Sequence, residues 1–206
     1  MPSATRITTL FLDIGGVLLT NGWDRQLRRK AAEKFGVDHA EMEHRHHLTY
    51  DTYEVGKMSL EEYLRRIVFY EPRVFTPDEL TKWILEEARP YPDMIRLVKQ
   101  LGAAYGLKIA VVSNEGRELA EDRIERFRLG EFVSFFIMSS FVHFRKPDED
   151  IYRVALDIAQ VKPEQVAYIE DRPMFCEVAS RIGLKSVLNE NFADTQKQLA
   201  DLGLVL

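Results

Sequence analysis

Thr8-Thr9-Leu10-Phe11-Leu12-Asp13-Ile14-Gly15-Gly16-Val17 is an apolar run that stops at a carboxylate and opens into glycines. Residues 6–13 read as a strand whose two faces are both apolar or small, as in a parallel sheet covered by helices. A carboxylate at the C-terminal end of such a strand stands where open α/β sheets bind ligands. Three further signals follow in order: Val111-Val112-Ser113-Asn114, Arg145-Lys146-Pro147-Asp148 and Ala167-Tyr168-Ile169-Glu170-Asp171. An acid, a hydroxyl, a lysine and an acid pair at successive strand ends or loops suggest one site built from four segments.

Between the first and second signals the period is helical. Trp23 to Phe35 carries Leu27, Ala31, Ala32 and Phe35 at helical spacing, with Gly36 as a stop. A second helix is expected over 38–52. Ser59 with Glu62 makes a capping-box pattern, and Thr76-Pro77-Asp78-Glu79 repeats it. Pro90 and Pro92 then mark a stiff linker and a fresh helix start. Beyond them strands are predicted at 108–113, 133–139, 166–170 and 184–188. The helices between and after them are expected at 116–128, 148–159 (with Ile151, Val154, Ala155 and Ile158 inward), 172–182 and 192–201. Pro147 reads as the start of the second of these. This alternation predicts an α/β fold, a Rossmann-like parallel sheet with helices on both faces, plus an inserted all-helical cap. Residues 1–16 and 89–206 would form the core domain. Residues 17–88 would form the cap, above Asp13.

The bulk numbers fit that reading. The chain has 206 residues, 46% hydrophobic and 30% charged, ordinary values for a globular protein with a sizeable core. A net charge of −5 argues against a nucleic-acid-binding surface. Cys176 is the only cysteine, which rules out an intrachain disulfide and fits a reducing compartment; it reads as a small packed residue on a helix. Asp13 interrupts the N-terminal apolar run, no cleavage pattern follows, and no apolar stretch approaches a membrane span, so a cytoplasmic protein with no membrane partner is expected.

Taken singly, each signal has a plainer reading. Asp13 can be a nucleophile, a metal ligand or a turn residue before glycines. Ser113 precedes a helix-start sequence and can hold an anion or serve as an N-cap. Lys146 alone would be a surface lysine; facing acids, it would neutralise phosphate and orient Asp13. Glu170 and Asp171 repel each other and a third acid unless a cation intervenes, and oxygen ligands of this kind suit Mg²⁺.

As an ordered set, the four motifs resemble the haloacid dehalogenase superfamily, in the branch with a type-1 helical cap, over the whole chain. Asp13-Ile14-Gly15-Gly16-Val17-Leu18 and Tyr53-Glu54-Val55-Gly56-Lys57-Met58-Ser59 further resemble the subgroup that includes sugar-1-phosphate phosphatases. The resemblance implies a two-step phosphoryl transfer on a small phosphorylated substrate, with Asp13 forming an aspartyl-phosphate. It implies Mg²⁺ held by Asp13, the Gly15 carbonyl and Asp171, with Glu170 acting through water. Ser113, the Asn114 backbone and Lys146 would bind the transferring phosphate.

One departure stands out. The family's phosphatases usually carry a second aspartate two residues after the nucleophile, where this chain has Gly15. Substrates with good leaving groups are therefore expected, such as anomeric sugar, acyl or aryl phosphates, unless another group supplies the proton. His44, His46 and His47 are cap candidates, His44 and His47 sharing a helix face, though solvated histidines are the plainer reading. His143 reads as structural. Arg25, Arg28, Arg29 and Lys30 read as a solvated cap face, and Arg172 is left open between substrate contact and none. Two competing functions remain: a metal-free 2-haloacid dehalogenase, and a non-catalytic phosphate-binding or regulatory protein.

Overall fold

The computed structural model of the protein describes residues 6–206. Its elements run β1 (Thr9–Leu12), α1 (Arg25–Phe35), α2 (His39–Glu54), α3 (Leu60–Ile67), α4 (Pro77–Glu86), α5 (Pro92–Tyr105), β2 (Lys108–Ser113), α6 (Arg117–Arg126), β3 (Phe135–Met138), α7 (Ser139–Val142), α8 (Glu149–Ala159), β4 (Val166–Glu170), α9 (Pro173–Arg181), β5 (Lys185–Leu188) and α10 (Phe192–Asp201).

The strands form one five-stranded sheet of order β3-β2-β1-β4-β5, every pair parallel. Strand β1 is central because it is buried along its whole length and pairs on both edges, Leu12 facing Val111 on one side and Ile169 on the other. After β3 the chain crosses β1 to build β4 and β5, so the strand order reverses between β1 and β4. The crevice at that reversal lies at the strands' C-terminal ends, where Asp13 and Glu170 emerge.

Side chains alternate across the sheet, as the pleat requires. Leu10, Leu12, Ile109, Val111, Ala167 and Ile169 join one apolar cluster with α5 and α10. Phe11, Ala110, Val112, Val166 and Tyr168 join another with α8 and α9. Helices α1 to α4 close a third cluster around Trp23, Tyr53, Tyr63 and Leu64. Val17, Leu18 and Leu19 belong to the sheet-side cluster. The two chain crossings between sheet and helices run side by side, Thr20 N donating to Arg89 O and Tyr91 N to Leu18 O, both at 2.8 Å.

Local chemistry explains the boundaries. Asp24 caps α1 by accepting from Leu27 N, and Gly36 ends it in the left-handed region at φ 64°. Thr76 and Glu79 form the reciprocal capping box of α4. Three expectations need correction. Strand β3 is shorter than 133–139, because Ser139 already opens α7, whose backbone meets the end of α2: a Cβ on Gly56 would stand 2.2 Å from Ser140 O. Helix α8 starts at Glu149 with Asp148, not Pro147, as its cap. It buries Ile151, Tyr152, Ala155 and Ala159, while Ile158 is exposed, since its stripe turns towards Tyr168 on the sheet. No helix among the described residues is long and apolar enough to cross a membrane.

Candidate active site

Each predicted site residue sits at the C-terminal edge of the sheet. Asp13 follows β1, its N–H donating to Ile169 O at 3.0 Å, and its own Oδ1 accepts from Ile14 N at 2.9 Å. Ser113 ends β2 and is buried; it is not a helix cap, since Gly116 holds that place on α6. Asn114 clamps the Lys146 backbone from both sides, Nδ2 donating to Lys146 O and Oδ1 accepting from Lys146 N, each at 2.8 Å. That clamp explains how an irregular loop delivers a lysine to a fixed place.

Lys146 is fully buried, which overturns the plain reading of a surface lysine. Its Nζ stands 3.1 Å from Asp13 Oδ1 and 2.6 Å from Glu170 Oε2, and donates to Tyr168 OH at 3.2 Å. A buried ammonium is tolerated only with such partners. Burial alone would pull the Lys146 pKa down; the two carboxylates outweigh it and hold the ammonium above its usual range. Burial pushes the Asp13 carboxyl up, with Lys146 pulling against it. Glu170 Oε1 accepts from Asp171 N and Arg172 N at 3.0 and 3.1 Å, so both its oxygens are engaged. Tyr168, which completes the Lys146–Glu170 contact, carried no signal in the sequence beyond its place on an apolar strand.

Asp13, Glu170 and Asp171 each offer an oxygen, and these atoms lie within 4.8 Å of one another. Among the described residues, the Lys146 ammonium stands against these three carboxylates, paired with Asp13 and Glu170. The buried Oδ1 of Asp171 has, among the described residues, no hydrogen-bond partner. An acid-rich, all-oxygen cluster with an unsatisfied carboxylate oxygen fits a hard divalent cation such as Mg²⁺. The loop leaves no room for more: a Cβ on Gly16, at φ +73°, would stand 2.1 Å from Asp171 Oδ2. A Cβ on Gly15 would stand 2.7 Å from Asn21 Oδ1.

Above these residues lies a cavity of about 410 Å³, roofed by α1 and α2, with Arg25, His47, Asp51 and Glu54 in its lining beside Arg172 and Phe175. Such a volume suits a small molecule. The residues of α1 and α2 sort differently from their spacing. His46, not His44 or His47, is buried. Its Nδ1 meets Tyr63 OH at 2.7 Å, and the same hydroxyl accepts from Trp23 Nε1 at 2.7 Å. The Tyr63 hydroxyl thus bridges His46 and Trp23. Burial, aided by Arg28, lowers the His46 pKa to about 4. Arg28 is not on a solvated face either; it is buried and bidentate on Glu43, while Arg25, Arg29 and Lys30 are exposed. His143 Nδ1 donates to Val55 O at 2.7 Å, closing the end of α2. Arg145 ties the Lys146 loop to Asp51 and to Glu54, the latter at 2.7 Å. Burial beside Glu170 pushes the Cys176 thiol up to about 12, so it stays protonated and unreactive.

Residues 7–183 match the family model for haloacid dehalogenase-like hydrolases. The chain belongs to the haloacid dehalogenase-like hydrolase family. Its curated relatives include Flavin mononucleotide hydrolase 1 of Arabidopsis thaliana, 28% identical over 79% of this chain and 65% of that protein. Phosphorylated carbohydrates phosphatase of Thermotoga maritima is 25% identical over 86% of this chain and 82% of that protein. The chain thus spans under two thirds of the first relative and most of the second. In fold it is similar to a HAD family enzyme of Bacteroides thetaiotaomicron solved with magnesium and inorganic phosphate: TM-score 0.74, 18% identity, covering 91% of this chain and 98% of that one. The protein is a hydrolase of this family, one of its named relatives is a phosphatase, and its acidic cluster fits a divalent metal.

Proposed function

We propose that the protein is a Mg²⁺-dependent phosphatase that hydrolyses a small phosphorylated metabolite through an aspartyl-phosphate on Asp13. The observation that carries this reading is the Lys146 ammonium, fully buried and 3.1 Å from Asp13 beside a cluster of three acids. That arrangement leaves Asp13 desolvated and aimed, and supplies positive charge where a phosphoryl group would sit. Phosphoryl transfer asks mainly for positioning and charge neutralisation.

In this reading Asp13 attacks phosphorus. Ser113, the Asn114 N–H and Lys146 bind the phosphoryl oxygens, Lys146 held in turn by Glu170 and Tyr168. Asp13, the Gly15 carbonyl and Asp171 would hold Mg²⁺, with Glu170 assisting through water. The ion would neutralise charge on the transferring group. Residues 17–88 would act as a cap over residues 1–16 and 89–206, a division supported from Trp23 onward by the apolar cluster of α1 to α4, which takes in Leu119 of α6, while Val17 to Leu19 pack with the sheet. The polar cavity lining and the two relatives, named for flavin mononucleotide and for phosphorylated carbohydrates, favour a phosphorylated metabolite, a sugar phosphate among them. A metal-free 2-haloacid dehalogenase fits less well, since an acid cluster left without a cation would repel a carboxylate substrate.

The test is turnover of an aryl phosphate by the purified protein, with Mg²⁺ and with chelator. Mg²⁺-dependent release of phosphate is expected. Turnover of 2-haloacids in its place, or of neither substrate by folded protein, would overturn the reading.

A further inference from the structure

Breaking a phosphate ester leaves an oxygen that needs a proton, and the loop after Asp13 has no side chain to give one, since both Gly15 and Gly16 are bare. Lys146 and Glu170 are bound to each other, and His46 carries no transferable proton at neutral pH. Glu54 turns its Oε2 against Arg145. Asp24 caps α1 and Asp51 is paired with Arg145. Glu115, like Glu54, has one oxygen against an arginine, but it follows β2, the strand that pairs with β1 ahead of Asp13, rather than lying on α2. Glu115 lies two residues beyond Ser113 and lines the same cavity as Asp13. It is 5% exposed. Arg123 holds Oε1 at 2.9 Å, whereas the buried Oε2 has no hydrogen-bond partner. Arg123 is in turn fixed by Thr20 O at 3.2 Å. The backbone of Gly22 covers the pair so closely that a Cβ there would stand 2.8 Å from Oε1. The carboxyl is therefore held on one oxygen and, among the described residues, has no hydrogen-bond partner on the other.

Resting on the phosphatase reading above, we propose that Glu115 is the proton carrier of this reaction, its Oε2 serving the leaving-group oxygen. In the first step the Asp13 oxygen bonds to phosphorus, the ester P–O bond breaks, and the Glu115 proton passes to the departing oxygen. In the second, Glu115 as carboxylate takes a proton from the water that attacks phosphorus. Phosphate leaves, and Asp13 and protonated Glu115 are restored. Burial raises the Glu115 pKa to about 7; Arg123 pulls against it, and Asp13, Glu54 and Asp122 add to it. Tyr50 and Tyr53 are the other titratable groups coupled to it from α2. A carboxyl poised there exists in both forms near neutral pH, as a group that gives and retakes a proton should.

The experiment compares kcat/KM of wild type, Glu115→Gln and Asp13→Asn, with Mg²⁺, on an alkyl phosphate and on 4-nitrophenyl phosphate. Glutamine still accepts from Arg123 but has no proton to give. Glu115→Gln should lose about 100-fold on the alkyl ester and at least about tenfold less on the aryl ester, whose leaving group needs no proton. The alkaline fall of the wild-type alkyl profile should vanish in the variant. Equal loss on both esters, or no loss on the alkyl ester, would overturn the role of Glu115 while leaving the phosphatase reading intact. Undiminished turnover in Asp13→Asn would sink both. Should Glu115→Gln not fold, Glu115→Asp decides: a shifted alkaline limb supports the proposal, and an unmoved one contradicts it.

Discussion

Gly16 places the backbone of the first loop against Asp171, and its conformation at φ +73° is one that side chains rarely adopt. Gly16→Ala would put a methyl group where Asp171 Oδ2 now stands. The expected outcome is a stability loss of more than about 1 kcal/mol in denaturant titration, together with a raised Mg²⁺ requirement for turnover. An unchanged Mg²⁺ requirement would show that Asp171 is not tied to metal use. Asp13, Ser113, Glu170 and Asp171 were readable because each ends or follows an apolar strand, a position a sequence marks by itself. What Lys146 touches was not readable. Tyr168 and Glu170 lie 22 and 24 residues away from it in the chain, and only the pairing of β1 with β4 brings them under it. Glu115 and Arg123 are close in sequence, yet Glu115 lies before α6 and their spacing is not that of a helical pair, so the sequence offered no sign that they would meet.

Among the elements, α2 is the one whose sequence misled. Its histidines fall on several sides of the helix, and its apolar and polar residues show no clean stripe, so spacing alone put His44 and His47 forward. Packing against Tyr63 of α3 chose His46 instead. The same limit governs α8, whose buried stripe follows Tyr152 on to the sheet and leaves Ile158 outside. Helices with strong local signals, such as the capping box of α4 and the Gly36 stop of α1, were legible to within a residue or two. The burial of His46 has a consequence for stability. Its folded-state pKa is lowered to about 4, below its ordinary value near 6.5. Between these two values the unfolded chain binds a proton that the folded chain refuses. This contribution is complete above the ordinary value and is lost as pH falls towards the folded one. Lowering the pH from neutral to about 5 should cost up to about 2 kcal/mol through this group, less to the extent that water screens it. His46→Gln should show a smaller fall in melting temperature over that interval than wild type. Equal falls would mean that His46 is not neutral in the fold.

At the scale of the whole molecule, the order β3-β2-β1-β4-β5 brings four separate chain segments to one edge, and their charges do not balance there. A ligand that binds only the folded state stabilises it by mass action, about 2.7 kcal/mol at a hundredfold excess over Kd. Saturating Mg²⁺ should therefore raise the melting temperature by several degrees, on the order of 2–4 °C per kcal/mol in a chain of this size. Chelator should reverse the rise, and Asp171→Asn should lack it. An equal rise in Asp171→Asn would place the ion elsewhere. The central claim is the covalent step at Asp13, and it can be read directly. Folded protein with Mg²⁺ and an acyl phosphate is acid-quenched within one turnover, and its peptides are weighed by mass spectrometry. Phosphate on the peptide that carries Asp13, absent from Asp13→Asn, is the predicted result. Steady turnover with no phosphate ever found on that peptide, or with Asp13→Asn as active as wild type, would contradict it.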